Sequence, residues 1–348
     1  MIKVLIVDDS AVVRKVMTEE LSRYDDIQIV GTAVDPYVAR DKIIELQPDV
    51  ITLDLEMPRM DGLSFLAKLM KHFPMPVVIL SSLTPKNSEL GLKALDLGAV
   101  EVLCKPGAAY STKNISHHLV LAIRSAAVAK VNHRPVNPQA AVESAVTKNL
   151  LVKTTHKVIA IGASTGGTKA IEAVLAQIPA AAPGIVIVQH MPEHFTRSFA
   201  QRLNEICPMQ VREARNNDHV VSGVVLIAPG NLHMVLTRNG GNYVVRVKNG
   251  PRVHYQRPSV DVLFQSVAKN AGRNAVGVML TGMGADGAKG MLAMKECGAR
   301  TLAQDEATCV VYGMPKEAVK LGAVDEILPL ADIPRAIFKV LETGGRSR

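Results

Sequence analysis

At 348 residues the chain is longer than one ordinary hydrophobic core organises, so two domains are expected. Hydrophobic residues form 48% and charged residues 21%; no stretch approaches the roughly 20 apolar residues of a membrane span, and MIKVLIVDDS turns acidic with no cleavage site, which predicts a cytoplasmic protein without membrane insertion. The net charge of +8 is uneven, with 12 Lys+Arg and 16 Asp+Glu in residues 1–106 and 28 and 16 in the rest, but 3% aromatic content and the lack of a Lys/Arg run argue against a nucleic-acid partner.

Residues 1–125 alternate continuous apolar runs (KVLIVDD, IQIVGTA, DVITLDL, PVVILSS, VEVLCKP) with amphipathic ones such as AVVRKVMTEELSRY and LSFLAKLMKHF. Buried strands separated by helices predict a five-stranded parallel sheet covered on both faces. Residues 126–155 lose this rhythm around Pro135 and Pro138 and read as an exposed linker, within which AAVESAV is a fair helix former. From 156 to 348 a second alternation runs from KVIAIGAS through TKAIEAVLAQI, GIVIVQH, HFTRSFAQRLNEI, MQVREA and GVVLIAPG. Asn239–Gly240–Gly241 then marks a hairpin, followed by VDVLFQSVAKNAG, AVGVMLTG, a helix near Ala288–Glu296, TLAQD, PKEAVKLG and IPRAIFKVLE. The second domain is thus a doubly wound, mostly parallel α/β domain with a β-hairpin. Cys104, Cys207, Cys297 and Cys309 show no C-x-x-C spacing and read as small apolar residues, with Cys309 an unsupported thiol candidate.

Asp8 and Asp9 end the first strand, Asp54 the third, Ser81 the fourth and Lys105 the fifth. The carboxyl ends of strands form the crevice of an open α/β sheet. Three carboxylates there repel one another unless a cation neutralises them, and hard oxygen ligands suit Mg²⁺. Ser81 offers a hydroxyl and Lys105 an ammonium to a phosphoryl oxygen, and the Lys105–Pro106 bond is a candidate for cis. With DLEMPRMDG, this set closely resembles the response-regulator receiver family, flavodoxin-like in fold. The resemblance implies that Asp54 accepts a phosphoryl group from a histidine kinase, that Asp8, Asp9, Asp54 and the Glu56 carbonyl hold Mg²⁺, and that Ser81 and Lys105 are the switch residues.

In VIAIGASTGGTKAI, Ser164 sits in a glycine-rich turn between strand and helix. Taken alone, the turn suits anion binding as well as a nucleophile; it is neither a dinucleotide fingerprint nor a Walker loop. His190 ends the strand GIVIVQH, and Asp286 lies in TGMGADG after AVGVML. Three strand ends of one sheet thus present hydroxyl, base and base-orienter, the set that nucleophilic acyl transfer needs. The order Ser–His–Asp and the absence of G-x-S-x-G separate it from α/β-hydrolases of the usual kind.

IGASTGGT, QHMP, FTRSFAQRLN, APG, RPSVDVLF, TGMGADG and CVVYGMPKEA, together with the domain order, closely resemble the chemotaxis protein-glutamate methylesterase (CheB) family. The resemblance implies a Ser164–His190–Asp286 triad needing no cofactor for the ester chemistry. It also implies hydrolysis of glutamyl methyl esters on chemoreceptor cytoplasmic domains, deamidation of selected receptor glutamines, and autoinhibition relieved by phosphorylation. N–H groups near Thr165 and Met283 are the weaker candidates for oxyanion donors. Arg197, Arg202 and Arg257 are candidates for steering the glutamate-rich substrate. The competing readings are a receiver joined to a DNA-binding output, which the βα alternation disfavours, and a catalytically inactive adaptor, which the intact Ser/His/Asp set disfavours.

Overall fold

The computed structural model describes residues 1–82, 84–105, 112–129 and 156–343. The Lys105–Pro106 bond, most of the expected linker and its AAVESAV segment lie outside the described residues. In the first domain, strands β1 (Ile2–Val7), β2 (Ile27–Ala33), β3 (Val50–Asp54), β4 (Val77–Ser81) and β5 (Glu101–Cys104) form one sheet in the order β2-β1-β3-β4-β5. Every pairing is parallel. β3 and β4 are buried at all five positions each, which is why they read as unbroken apolar runs. Helices α1 (Ala11–Leu21) and α5 (Thr112–Val128) cover one face, with Met17, Leu21, Leu119 and Ile123 packed on Val4, Ile6 and Val78. Helices α2 (Pro36–Leu46) and α3 (Gly62–His72) cover the other through Ile43, Leu66 and Leu69. Helix α4 (Pro85–Asp96) completes the set.

The second domain holds β6 (Val158–Ala163), α6 (Gly167–Leu175), β7 (Gly184–Gln189), α7 (Phe195–Ile206), β8 (Gln210–Glu213) and β9 (Val224–Ile227). The hairpin β10 (His233–Asn239) and β11 (Asn242–Lys248) follows, then α8 (Val260–Ala271), β12 (Ala275–Met279), α9 (Ala288–Glu296), β13 (Arg300–Gln304), α10 (Met314–Lys320), β14 (Glu326–Leu328) and α11 (Ile333–Thr343). Seven strands form an all-parallel sheet in the order β14-β13-β12-β6-β7-β9-β8, and the antiparallel hairpin stands apart from it. Helices α6, α7 and α11 pack on one face through Ile171, Phe199 and Ile337. On the other face α8, α9 and the hairpin pack through Phe264, Met291 and Met234. β14 was not among the expected strands: three half-exposed residues at a sheet edge are too short to show a period of two.

From β6 the chain first runs to β7 on one side and returns later to β12 on the other. The carboxyl ends of β7, β6 and β12 therefore meet at a topological switch point, where α/β sheets bind their ligands.

The two domains meet where α4 and β5 lie on α7 and the loop after β6. Phe195, at the start of α7, is fully buried and packs into the receiver-side core with Ala94 and Val102. Leu92 of α4 packs in turn into the core of the second domain. Gly91 is what admits the ring: a Cβ there would lie 2.5 Å from Phe195 Cε1. Around this apolar contact, Ser88 Oγ lies 2.7 Å from Ser198 Oγ, and Asp96 pairs with Lys169 and Arg202.

Candidate active site

Ser164 follows β6, His190 follows β7 and Asp286 follows β12 by seven residues, so the switch point brings all three to one crevice. His190 Nε2 is 2.8 Å from Asp286 Oδ2, and both side chains are nearly buried. His190 Nδ1 is buried and, among the described residues, has no hydrogen-bond partner. Ser164, which is 6% exposed, lines the same crevice. The serine loop is pinned from behind. Ser164 N donates to the Thr281 carbonyl (3.0 Å), Thr281 Oγ1 donates to the Thr165 carbonyl (3.0 Å), and Gln189 Nε2 donates to the Ser164 carbonyl (2.9 Å). Gly282 lets the Met283 loop approach, because a Cβ there would lie 2.7 Å from Ser164 Cβ.

Asp286 is held by a group that the sequence reading left out. Its carboxylate accepts from Ser259 Oγ (2.7 Å), Val260 N (2.7 Å) and Asp261 N (3.1 Å), which together are the N-terminus of α8. Unsatisfied N–H groups and the positive end of the helix favour a carboxylate there. Burial pushes the Asp286 carboxyl up, but His190, Ser259 and Val260 outweigh it and hold the group below the usual carboxylate range. A legible signal existed: in RPSVDVLF a serine precedes an apolar-periodic run, the pattern of an N-cap.

Thr165 and Met283 also line the crevice. Among the described residues neither backbone N–H donates to a protein acceptor, as oxyanion donors require. The Thr165 hydroxyl is engaged: it donates to Glu101 Oε2 of β5 at 2.7 Å. Glu101, Val102, Leu103, Cys104, His118 and Ser125 of the first domain roof the crevice. Of the three candidate steering arginines only Arg257 lines it, tied to Asn231 and Asn249. Arg202 is used between the domains on Asp96 and also pairs with Glu172 (3.0 Å), and Arg197 faces Glu213 at 3.7 Å. Cys309 is buried and outside the crevice lining, with its thiol directed at the Gln304 carbonyl.

In the first domain Asp8 and Asp54 are buried and Asp9 is exposed, and one oxygen from each lies within 4.8 Å of the others. Lys105 Nζ is 2.9 Å from Asp8 Oδ2 and 2.6 Å from Asp54 Oδ2, the only partner of either oxygen among the described residues. Burial raises the Asp54 carboxyl above the usual range despite Lys105. For Lys105 burial works the other way, but the two carboxylates prevail and raise it. Ser81 Oγ is buried and, among the described residues, has no partner at the neighbouring strand end. Glu56 N donates to Asp54 Oδ1 (3.1 Å), and the Glu56 carboxylate accepts from Ser82 and Asn87. Inner carboxylate oxygens with no other donor fit a divalent cation with oxygen ligands.

Among the described residues no helix is long and apolar enough to cross a membrane. Residues 159–337 match the family model "CheB methylesterase" and residues 4–115 match "Response regulator receiver domain". The chain is 58% identical to "Protein-glutamate methylesterase/protein-glutamine glutaminase 2" of Syntrophus aciditrophicus, over 98% of this chain and 99% of that protein. It is 50% identical to "Protein-glutamate methylesterase/protein-glutamine glutaminase" of Salmonella typhimurium, over 99% and 98%. The crystal structure of the Thermotoga maritima CheB methylesterase catalytic domain superposes with a TM-score of 0.52 at 37% identity, covering 54% of this chain and 99% of that one. A receiver sheet joined to a seven-stranded sheet with Ser, His and Asp at its switch point, and similarity along nearly the whole chain, lead to one conclusion: the chain belongs to the CheB methylesterase family, as a response-regulator methylesterase.

Proposed function

We propose that this chain hydrolyses glutamyl methyl esters on chemoreceptor cytoplasmic domains to glutamate and methanol, and deamidates selected receptor glutamines. In this reading it works in the cytoplasm under the control of a histidine kinase. The observation that carries the reading is the meeting of Ser164, His190 and Asp286 on three adjacent strand ends. Asp286 holds the Nε2 proton of His190, which leaves Nδ1 as the base that takes the Ser164 proton. Ser164 Oγ attacks the ester carbonyl. The oxyanion forms against the N–H groups of Thr165 and Met283, which among the described residues have no protein acceptor and are preorganised donors for developing charge. His190 returns its proton to the departing methanol, or to ammonia from a glutamine, and then activates the water that frees the acyl group.

Control begins at Asp54, the proposed phosphoryl acceptor. Asp8, Asp9, Asp54 and the Glu56 carbonyl would hold Mg²⁺. The chemistry supplied by the bound ion is charge neutralisation between these carboxylates and the phosphoryl oxygens. A phosphoryl group on Asp54 takes Lys105 away from the bare carboxylates and gives the Ser81 hydroxyl an acceptor. Both residues stand at the ends of β4 and β5, and β5 roofs the crevice. The bistable element is the seating of α4 and β5 on α7.

The test is methanol release from methylated receptor membranes, with and without acetyl phosphate. Release that rises with the phosphodonor, disappears in Ser164→Ala and loses its phosphodonor response in Asp54→Asn is expected. Methanol release that persists in Ser164→Ala rejects the nucleophile.

A further inference from the structure

Among the described residues, Glu101 is the one receiver side chain in the crevice that hydrogen-bonds to the residue following Ser164. Its Oε2 accepts from Thr165 Oγ1 at 2.7 Å, and it shares the crevice with Ser164, Thr165 and His190. A carboxylate facing away from its own sheet into another domain's site loses hydration and needs a specific return. Here that return is one threonine hydroxyl. Under the reading above, the reaction product is itself a glutamate side chain. The receiver therefore inserts, beside the nucleophile, the same chemical group that the reaction creates.

We propose that Glu101 is a tethered product analogue: its carboxyl occupies the position of the substrate's glutamyl acyl group, and the unphosphorylated receiver inhibits by competing for that position. This rests on the function proposed above and adds to it the group that does the blocking. Three features of the contact agree with it. Glu101 opens β5, the strand whose other end leads to Lys105 and the phosphorylation site. A movement of β5 would therefore withdraw the carboxyl. The Thr165 hydroxyl it engages adjoins the free Thr165 N–H, so the acyl oxygen of a substrate would meet the same residue. Burial pushes the Glu101 carboxyl above its ordinary range, closer to the uncharged ester it would stand in for.

A product analogue gives competitive inhibition. In the unphosphorylated full-length chain, Glu101→Ala should lower KM for methylated receptor by about tenfold, the worth of one hydrogen bond. kcat should stay unchanged, and the phosphorylated chain should show little difference. A second readout tests position and not merely contact. Glu101→Gln places a side-chain amide where the proposal places an acyl group. Ser164 would attack that amide carbon, the C–N bond would break with ammonia taking the proton from His190, and water would release a glutamate at position 101. Intact-mass and peptide analysis should find the amide hydrolysed in Glu101→Gln and retained in Glu101→Gln/Ser164→Ala. An unchanged KM in Glu101→Ala, or an amide retained by a Glu101→Gln chain that still deamidates receptor glutamines, overturns the proposal. A chain that acts on neither receptor esters nor receptor glutamines would instead reject the parent function.

Discussion

Asp286 orients His190 through Oδ2 at 2.8 Å while the same carboxylate caps helix α8 through Ser259, Val260 and Asp261. Base orientation and helix packing are thereby one interaction. Asp286→Asn exchanges an acceptor oxygen for a donor facing N–H and O–H groups. It should lower kcat by about 10³–10⁴-fold, since the imidazole tautomer is no longer held. Ser259→Ala removes one donor and the N-cap, and should cost about 1 kcal/mol in denaturant unfolding while lowering kcat far less. Equal kcat losses in both variants would contradict this division of roles. The folded Asp286 carboxyl lies below its unfolded value, so its contribution is full above the ordinary carboxylate range and is lost as pH falls through the folded value. Ser259→Ala should therefore begin its acid unfolding at higher pH than the parent chain.

Gly91 and Phe195 set how closely the domains seat. A Cβ at position 91 would meet the Phe195 ring at 2.5 Å and Val102 Cγ1 at 3.0 Å. Gly91→Ala should therefore open the interface and raise methanol release without a phosphodonor. Phe195→Ala should do the same and cost about 3–5 kcal/mol, since it vacates a fully buried ring site. Basal activity at the parental level in both variants would mean that this contact does not control access.

Burial holds the Asp54 carboxyl above the ordinary carboxylate range, against the pull of Lys105. A carboxyl whose folded value exceeds its unfolded one makes folding less favourable as pH rises through that interval. Asp54→Asn should raise the melting temperature of the receiver at pH 7, with a gain that shrinks as pH falls toward the ordinary carboxylate range. Calorimetry at two pH values reads this directly. A gain that grows on acidification would reverse the sign.

Asp96 bridges Lys169 and Arg202 across the domains while remaining about one-third exposed. A solvent-screened bridge contributes little stability, about 0–1 kcal/mol. Asp96→Asn should leave unfolding nearly unchanged yet raise unphosphorylated activity at low ionic strength, with the difference fading in high salt. A salt-independent effect would show that Asp96 acts by shape.

The fold was legible wherever burial is complete. β3, β4, β6 and β7 are covered on both faces and spell unbroken apolar runs, and Asn239–Gly240–Gly241 marked the tight turn between β10 and β11. β14 was illegible because an edge strand of three residues has neither a period nor a complete apolar run. The serine loop was half-legible: its glycines announced a tight strand-to-helix turn, but they announce an anion site just as well.

What the order of residues determined by itself is the chemistry at each strand end, because a carboxyl-terminal strand position in a parallel sheet faces the crevice whatever the rest of the chain does. Ser164, His190, Asp8, Asp54, Ser81 and Lys105 were readable on that basis, and Asp286 from the glycine-rich turn that follows β12. Tertiary structure alone decided which distant groups would complete those sites. The helix α8 N-terminus reaches Asp286 from more than twenty residues away, and Arg202 is used on Asp96 instead of facing the crevice. Glu101 meets Thr165 across 64 residues of sequence. Such pairings depend on how one domain is seated on another, and a single glutamate at the start of a strand carries no local pattern that encodes it.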